Sequence, residues 1–437
     1  MDYEIADQRG GYFHDSSMKQ GENHTTKIWQ KQGSPVRNTE RSLKSAARKR
    51  RHPARQTSSG DPAASPSTAL SNSRGRLNFP YQASLSYRRE ESQALTPPSD
   101  QERASFSHFF PSVPHFPEED LKLRATSIRV RRGGNCPNTM EVLQQLLRAE
   151  HLPHSQTEPL TMHLVSPLPE RQSQATAQII ASFLPAPDTA AAAAAAASAA
   201  GITFDHCLFC QGHQAPASSY IFRSEANGSR TIVNHNDLPD MTTDEFLNVV
   251  EAFRDKGGRT WWHFEGRVPE TTLSCILALR RALGDDAVTV SVEVERPGRA
   301  GLRELAAEAD VVFYSKSWAE ACGYTSADDC LRKESLSLPR TSLAMVTWGA
   351  EGAWCISPKD RQLVKSPVER PVKQVVDSVG AGDTFVAGML YGLICQADTW
   401  DVTHKLGFAV ALATLKVQRE GFGGLGDDIR MDMQRSR

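Results

Sequence analysis

The chain has 437 residues, of which 39% are apolar and 7% aromatic, so the whole of it cannot form packed core. Its 50 basic and 51 acidic residues give a net charge of −1, which argues against a protein that coats nucleic acid along its full length. No run of about 18 apolar residues is present, and the first residues (MDYEIADQRGGYF) lack the segments of a secretory leader, so we expect a cytoplasmic protein without a membrane span.

The first quarter of the chain differs in composition from the rest. Residues 1–112 hold 17 basic and 11 acidic side chains, a net of +6, whereas the remainder holds 33 and 40, a net of −7. This segment is polar and without apolar periodicity, so it cannot bury enough apolar surface to offset the entropy cost of ordering. We expect residues 1–112 to be a disordered basic tail. The run Arg48–Arg51 fits a nuclear-import or nucleic-acid patch, but a solvated charge run is the favoured interpretation.

From Val113 onward, short apolar runs alternate with amphipathic stretches. The spacing of apolar residues predicts helices at 138–147, 172–184, 272–283, 301–309, 383–395 and 401–418, and strands at 260–264, 288–294, 311–314, 343–346 and 353–356. Strands that alternate with helices predict a doubly wound α/β domain, in which helices cover both faces of a mostly parallel sheet. We assign this domain to residues 113–430.

Two segments interrupt the alternation. Strand-like runs at 219–222 and 231–233 flank Asn227-Gly228, a strong hairpin turn signal, so we expect a small β lid at about residues 215–235. Farther upstream, eight alanines run from Ala190 to Ala197. We interpret residues 186–200 as a low-complexity surface insertion, although the helix propensity of alanine would also allow an extension of the preceding helix.

The segment Asp377–Phe385 (DSVGAGDTF) carries the clearest chemical signal, and an apolar helical run follows it. Glycines just before a helix let a ligand approach the backbone, and the free N–H groups of the first turn attract an anion. Asp383 lies in that first turn, where we expect its carboxylate to stay ionised and to accept a proton. Phosphoryl transfer needs both features. A simple helix cap after a glycine turn is the structural alternative.

The longer string resembles the second signature of the PfkB, or ribokinase-like, sugar kinases. Other stretches resemble the same family in order and spacing: Arg132–Asn138 (RGGNCPN) is similar to its sugar-binding Gly-Gly-Asn turn, Asn227–Val233 (NGSRTIV) to the lid strand of ketohexokinases, and Thr347–Gly352 (TWGAEG) to its nucleotide-side turn. The resemblance covers about Val113 to Leu425 and is strongest to the ketohexokinase members. It implies a ribokinase-like fold and ATP-dependent phosphorylation of a sugar hydroxyl, foremost the 1-hydroxyl of a ketohexose such as fructose; ribose, another furanose or a nucleoside is the alternative acceptor.

The resemblance also implies roles for individual residues. Asp383 would be the catalytic base, and Gly380, Ala381 and Gly382 would form the anion hole for the transferred phosphate. The other implied site residues are Gly134, Asn135 and Asn138, which would bind the sugar, Arg230, which would neutralise phosphate charge, and Glu351 and Gly352, which would lie beside the nucleotide. We expect Mg²⁺ to accompany ATP, held by phosphates and water, and assign it no protein ligand. The family's lid can build a dimer interface, so a homodimer is compatible with the sequence, whereas membrane or nucleic-acid partners are not expected.

One feature of the family is missing. Its fold opens with a central strand that ends in a sugar-binding Asp, but Ala104–Phe110 has no Gly-x-x-x-Asp pattern. Our hypothesis is that residues 1–112 derive from an alternative or mis-assigned first exon. The missing strand also keeps open a catalytically dead protein that binds sugar or nucleotide. Separately, the basic tail keeps open a nuclear or nucleic-acid-associated scaffold.

The cysteines give only weak evidence for a metal site. Cys207 and Cys210 form a single CxxC, and we interpret them as core residues, although His206 and His213 flank them, because a zinc site needs four convergent ligands. The irregular spacing of all eight cysteines favours reduced thiols over a disulfide scaffold. The lack of GxxxxGK[ST] argues against a Walker-type NTPase.

Overall fold

The computed structural model describes residues 107–150, 160–183, 201–254, 259–369, 372 and 374–435, which all belong to one structural unit. Residues 1–106 and the alanine run lie outside this part of the chain, so the expectations of a disordered tail, a different first exon and a surface insertion remain predictions.

Short strands make up much of the described chain. In chain order they are β1 (Ser107–Val113), β2 (Ser127–Arg132), β3 (Met162–His163), β4 (Pro167–Leu168), β5 (Ile202–Thr203), β6 (Leu208–Phe209), β7 (Ser218–Ser224), β8 (Arg230–His235), β9 (Thr260–Glu265), β10 (Val288–Val294), β11 (Val311–Tyr314), β12 (Leu343–Thr347), β13 (Ala353–Ile356) and β14 (Leu363–Ser366). They form a six-stranded sheet, a four-stranded sheet and two pairs of two-residue strands.

The six-stranded sheet has the order β14-β13-β12-β11-β10-β9. Strands β9 to β12 are parallel, and β13 and β14 are antiparallel because short turns connect them. This confirms the predicted mostly parallel sheet, and the five predicted strands agree with the observed ones to within one residue at either end. In the described part of the chain, no strand pairs with the outer edge of β9, and the expected lack of a further central strand remains a prediction.

The four-stranded sheet has the order β2-β1-β7-β8. The predicted hairpin is present: β7 and β8 are antiparallel and are joined by the Asn227-Gly228 turn, in which Gly228 has a φ of 70°. Strand β1 lies between β2 and β7, antiparallel to the first and parallel to the second.

The assignment of residues 107–112 to the tail was wrong, because they form most of β1. Phe109 stacks on Tyr220 of β7 with ring centroids 4.9 Å apart, and Val113 is buried. The composition of the long polar segment, averaged over 112 residues, concealed this short aromatic strand.

The described helices are, in chain order, α1 (Asn135–Glu150), α2 (Gln174–Ala181), α3 (Thr243–Arg254), α4 (Pro269–Leu283), α5 (Leu302–Ala307), α6 (Lys316–Ala321), α7 (Ala327–Glu334), α8 (Ala381–Ile394), α9 (Val402–Val417) and α10 (Leu425–Arg435). All six predicted helices are among them, and α3, α6, α7 and α10 were not predicted. The structure starts α1 and α4 three residues earlier than predicted; Pro269 suits the start of α4, where its missing N–H costs no hydrogen bond.

Two apolar clusters cover the faces of the six-stranded sheet. Phe313 and Met345 point into the cluster that includes α1, α8 and α9, whereas Val312 and Ala344 point into the cluster that includes α3, α4, α5 and α7. Neighbouring strand residues thus alternate between two buried faces, which is why these strands are almost wholly apolar. Such a sheet leaves the carboxyl ends of its strands as the place for a ligand.

Candidate active site

A cavity of about 330 Å³ lies at the carboxyl ends of β10, β11 and β12. Glu293, Tyr314 and Thr347 line it from the large sheet, Gly380, Gly382 and Asp383 from the start of α8, and Asn135 and Asn138 from the start of α1. Ser219, Ile221, Arg230, Ile232 and Asn234 line it from the β7–β8 hairpin. The fold therefore brings both predicted glycine-containing turns and the hairpin to one place.

The glycine turn before α8 could hold no other residue at its central position. Gly380 has a φ of 81°, and a Cβ added there would lie 2.3 Å from Cζ of Phe422. Ala381 is the first residue of α8, and Gly382 follows it on the cavity wall. The first turn of a long helix thus opens toward the cavity, as an anion-binding site requires.

Asp383 is 8% exposed and accepts a hydrogen bond from Asn138 Nδ2 to its Oδ2 at 2.7 Å. Burial raises the pKa of Asp383 well above the usual 3.8, and the nearby carboxyl of Glu293 raises it further. Burial and the acidic neighbours thus act against the helix start, which favours the ionised form, and the ionised state of Asp383 remains a prediction. A carboxylate of raised pKa is a stronger proton acceptor once it has ionised.

The contact between Asn138 and Asp383 is held in one orientation from behind. Arg132 Nη1 donates to Oδ1 of Asn138 at 3.3 Å, so the amide turns its NH₂ group toward Asp383. Arg132 itself is buried, pairs with Glu141 and lies over the ring of Phe183. Asn138 was predicted as a sugar ligand. In the structure, both its amide oxygen and its amide nitrogen are hydrogen-bonded to protein side chains.

Asn135 lies beside two glutamates. Its Nδ2 donates to Glu295 at 2.6 Å and to Glu293 at 3.1 Å. It lines the first cavity and an adjoining larger one of about 520 Å³, which Gly134, β9 and the segment Leu164–Pro167 also line. Asn135 therefore stands at the junction of the two cavities, and Gly134 lines only the larger one.

Glu293 is also buried against His263, with Nε2 and Oε1 3.0 Å apart. Burial lowers the pKa of His263 to about 4, and burial together with Glu295 and Glu265 raises the pKa of Glu293. Both shifts act in the direction of the uncharged forms, as burial of a His–Glu pair does.

The turn that precedes α8 is anchored through Asp377. Lys416 Nζ donates to its carbonyl oxygen at 3.0 Å and to Oδ2 at 3.2 Å, and Arg131 Nη1 reaches Oδ2 at 2.6 Å. The carboxylate in turn accepts the Val379 N–H at 3.0 Å. Although burial alone would raise the pKa of Asp377, Lys416, Val379 and Arg131 lower it below 3.8. Arg230 reaches the same turn by donating to Ser378 Oγ at 2.9 Å.

Glu351 and Gly352, predicted beside the nucleotide, line neither cavity. Glu351 is exposed, and Gly352, with a φ of 97°, packs so closely on the chain at Ser366 that a Cβ would lie 2.1 Å from its carbonyl oxygen. The structure explains this glycine by packing, and a role for both residues toward the nucleotide remains a prediction.

Comparison with known proteins agrees with this geometry. Residues 108–425 match the model of the pfkB family of carbohydrate kinases. The chain belongs to this family. It is 29% identical to ketohexokinase from Mus musculus over 319 residues, 72% of this chain and 93% of the relative, and 32% identical to fructokinase from Rhizobium leguminosarum bv. trifolii over 180 residues, 40% and 51% of the two chains. The structure of Arabidopsis thaliana ribokinase complexed with ribose and ATP has the same fold, with a TM-score of 0.55, 15% identity and 82% and 98% of the chains covered.

The protein is thus an ATP-dependent carbohydrate kinase with the ribokinase-like fold. Within the part of the chain that the structure describes, no helix is both long and apolar enough to cross a bilayer. The same residues hold no group of three or more His, Cys, Asp or Glu side chains arranged for a metal ion. Cys207 and Cys210 are both buried, as the core interpretation predicted.

Several residues of this kinase site were not predicted from the sequence. Lys416 could have been found from the sequence. It lies four residues after Leu412 and seven after Ala409, on the buried stripe of α9. A lysine on such a stripe implies a buried anionic partner. The sequence gives no comparable signal for Arg132 and Glu141. An arginine at the end of a strand and a glutamate nine residues later in a helix look like ordinary surface charges.

Proposed function

We propose that this kinase transfers the terminal phosphoryl group of ATP to a sugar hydroxyl, foremost the 1-hydroxyl of a ketohexose such as fructose. The observation that carries the proposal is the placement of Asp383, held by Asn138, beside the open first turn of α8 in one cavity. The similarity to mouse ketohexokinase and to a bacterial fructokinase supports the choice of acceptor.

In this mechanism Asp383 accepts the proton of the attacking hydroxyl. The hydroxyl oxygen forms a bond to the terminal phosphorus as the bond to the bridging oxygen breaks, and ADP leaves with that electron pair. The N–H groups at Gly380, Ala381 and Gly382 stabilise the negative charge that develops on the transferred group. Arg230, tied to the same turn through Ser378, adds a positive charge from the hairpin.

Mg²⁺ would accompany ATP and neutralise charge on its phosphates. The cavity wall offers hard oxygen donors in Glu293 and Glu295, which suit an ion that keeps several of its water molecules. Glu293 already contacts His263 and Asn135, so we propose that phosphates and water hold most of the ion.

The test is ADP release by the purified full-length chain with Mg-ATP and fructose, beside ribose and no-sugar reactions. We expect fructose-dependent turnover and a product whose ³¹P spectrum places the phosphate on the 1-oxygen. Turnover with ribose alone would keep the family and change the acceptor. An Asp383→Asn variant that kept wild-type turnover would refute the assigned base.

A protein that binds sugar and nucleotide without turnover is the second candidate. The observation in its favour is the outer edge of β9, with which no described strand pairs. His263, Phe264 and Glu265 of β9 line the larger cavity. ATP binding by a folded sample that shows no sugar-dependent ADP release would select this candidate.

We also propose that the four-stranded sheet forms a homodimer contact. Ile128, Tyr220 and Val233 are between 41% and 67% exposed and share the face that points away from the cavity. Light scattering should give twice the monomer mass, and Val233→Asp should return the mass to that of one chain. A wild-type protein that is monomeric at assay concentrations would contradict this contact.

A further inference from the structure

A row of polar side chains crosses the four-stranded sheet on the face toward the cavities. His108 of β1 lies opposite Ser219 of β7, which lies opposite Asn234 of β8. Residues that are directly opposite in a sheet point to the same side. All three line both the 330 Å³ and the 520 Å³ cavity, so the row faces the junction where Asn135 also stands.

The ring of His108 is fixed in place by close packing. A Cβ added at Gly133 would lie 2.2 Å from His108 Nε2, so only glycine at 133 leaves room for the ring. On its other side the ring meets Phe110 edge-on, with centroids 5.9 Å apart. Gly133 thus has a reason to be glycine that differs from the turn at Gly134.

The imidazole is uncharged in this setting. Burial, together with the charges of Arg132 and Arg131, lowers the pKa of His108 to about 4, against the opposing effect of Asp377. A neutral imidazole offers one hydrogen-bond donor and one acceptor, which suits a sugar hydroxyl that both donates and accepts.

Other polar groups near Asp383 are already engaged. Asn138 uses both ends of its amide, Asn135 donates to two glutamates, and Ser219 donates to Asn234 at 2.8 Å. Neither ring nitrogen of His108 forms a hydrogen bond with another side chain or backbone group of the described residues. A fixed donor and acceptor therefore face the cavity without a hydrogen-bond partner among the described residues.

We propose that His108 is a specificity-determining residue that hydrogen-bonds one hydroxyl of the acceptor sugar while that sugar lies beside Asn135 and Asp383. The proposal rests on the sugar-kinase function above. It assigns sugar recognition to strand β1, in a segment where the sequence offers no carboxylate for that purpose.

The first test compares His108→Phe, which keeps a ring in the Gly133 niche, with His108→Gln, which keeps a donor and an acceptor. We expect His108→Phe to raise the acceptor KM about tenfold, the loss of one hydrogen bond of about 1.4 kcal/mol. The ATP KM should stay within about twofold of wild type, and His108→Gln should recover part of the loss. The matched control is His115→Phe, the same change at an exposed position outside both cavities.

The second test uses a series of monodeoxy analogues of the accepted sugar. If His108 binds one hydroxyl, the wild-type enzyme should discriminate against one analogue about tenfold, and His108→Phe should not discriminate against that analogue. Calorimetric titration of the sugar into nucleotide-free enzyme should show the same pattern without turnover. Melting curves must confirm that both variants are folded.

The possible failures are distinguishable. A folded wild-type chain that phosphorylates no sugar contradicts the proposed function. An active wild type whose His108→Phe variant keeps the wild-type acceptor KM and the same discrimination among analogues overturns the role of His108. Equal increases of the sugar and ATP KM values, not restored by His108→Gln, would also overturn it, because they indicate a merely structural role.

Discussion

Asn138 Nδ2 lies 2.7 Å from Oδ2 of Asp383, and this contact joins the start of α1 to the start of α8 across 245 positions of sequence. Arg132 fixes the amide from the other side, and Glu141 pairs with Arg132. The orientation of the candidate base therefore depends on a chain of three buried or half-buried polar contacts rather than on one residue.

Replacement of Asn138 by Leu should lower kcat. Leu has a similar size but cannot donate to Asp383, and a hydrogen bond to an ionised group contributes about 1.5–3 kcal/mol, so a loss of roughly 10- to 100-fold is expected. Steady-state turnover with saturating sugar and ATP measures it. Thr139→Val is the control: its hydroxyl donates to the Asp383 carbonyl oxygen at 3.2 Å, so its loss should reduce stability with little effect on kcat. Wild-type turnover in Asn138→Leu would contradict the orienting role.

Asp383→Asn should melt at a higher temperature than the wild type in alkaline buffer. An acid whose pKa is raised by folding binds its proton more tightly in the native state, so it weakens the native state as pH rises from the unfolded pKa through the folded one. The neutral amide of the variant carries no such cost. The difference in Tm should therefore be largest at pH 8 and should vanish as pH falls toward the unfolded value of 3.8. Differential scanning calorimetry between pH 4 and 8 measures this.

The control for that series is Asp427→Asn, at an exposed position in the first turn of α10. It should show no gain in Tm at pH 8. A lower Tm for Asp383→Asn than for the wild type at pH 8 would contradict the raised pKa, because it would mean that the ionised carboxylate is stabilised by its surroundings.

The parallel sheet and the glycine turn before α8 could be predicted because each depends on local pattern. Buried strands read as continuous apolar runs, and Gly380 and Gly382 directly precede or open an apolar helix. The start of α1 could not be placed in the same way. Its first-turn N–H at Cys136 is bonded by the carboxylate of Glu265, 129 positions away, so the helix begins before its apolar pattern does.

The pairing of β1 was hidden for a related reason. Nothing near His108 in the sequence indicates that it lies opposite Ser219, since register is set by strands more than a hundred residues apart. The raised pKa of Asp383 is a third example. The sequence shows the helix start that would favour the ionised form, but the pKa is raised by burial and by the carboxyl of Glu293 on another strand, and both depend on the tertiary fold.

Lys416→Met should weaken both the fold and the binding of ATP. Lys416 is fully buried, and its removal leaves Asp377 with Arg131 as its remaining cation, at a cost of about 3–5 kcal/mol for a broken buried pair. Because Asp377 also accepts the Val379 N–H, the turn before α8 should loosen and the ATP KM should rise. Urea unfolding and ATP kinetics measure the two effects.

Lys405→Met gives a matched control on the same helix. Lys405 is also buried, but its Nζ donates to the carbonyl oxygen of Ala397 at 3.0 Å, away from the glycine turn. It should lose stability while the ATP KM stays at the wild-type value. If Lys405→Met raised the ATP KM as much as Lys416→Met, the effect would follow from general destabilisation and not from the anchor on Asp377.

Gly380→Ala should abolish most activity and destabilise the fold for two separable reasons. A non-glycine residue at a φ of 81° costs about 1–2 kcal/mol, and the added Cβ would lie 2.3 Å from the ring of Phe422. Gly298→Ala measures the backbone cost alone, since Gly298 has a φ of 72° and open space around it.

The double variant Gly380→Ala/Phe422→Leu measures the cost of the clash, because a smaller side chain at 422 relieves the contact but leaves φ unchanged. Unfolding free energies in a double-mutant cycle should show a favourable coupling between 380 and 422. A Gly380→Ala variant as stable and active as Gly298→Ala would show that the turn does not need glycine.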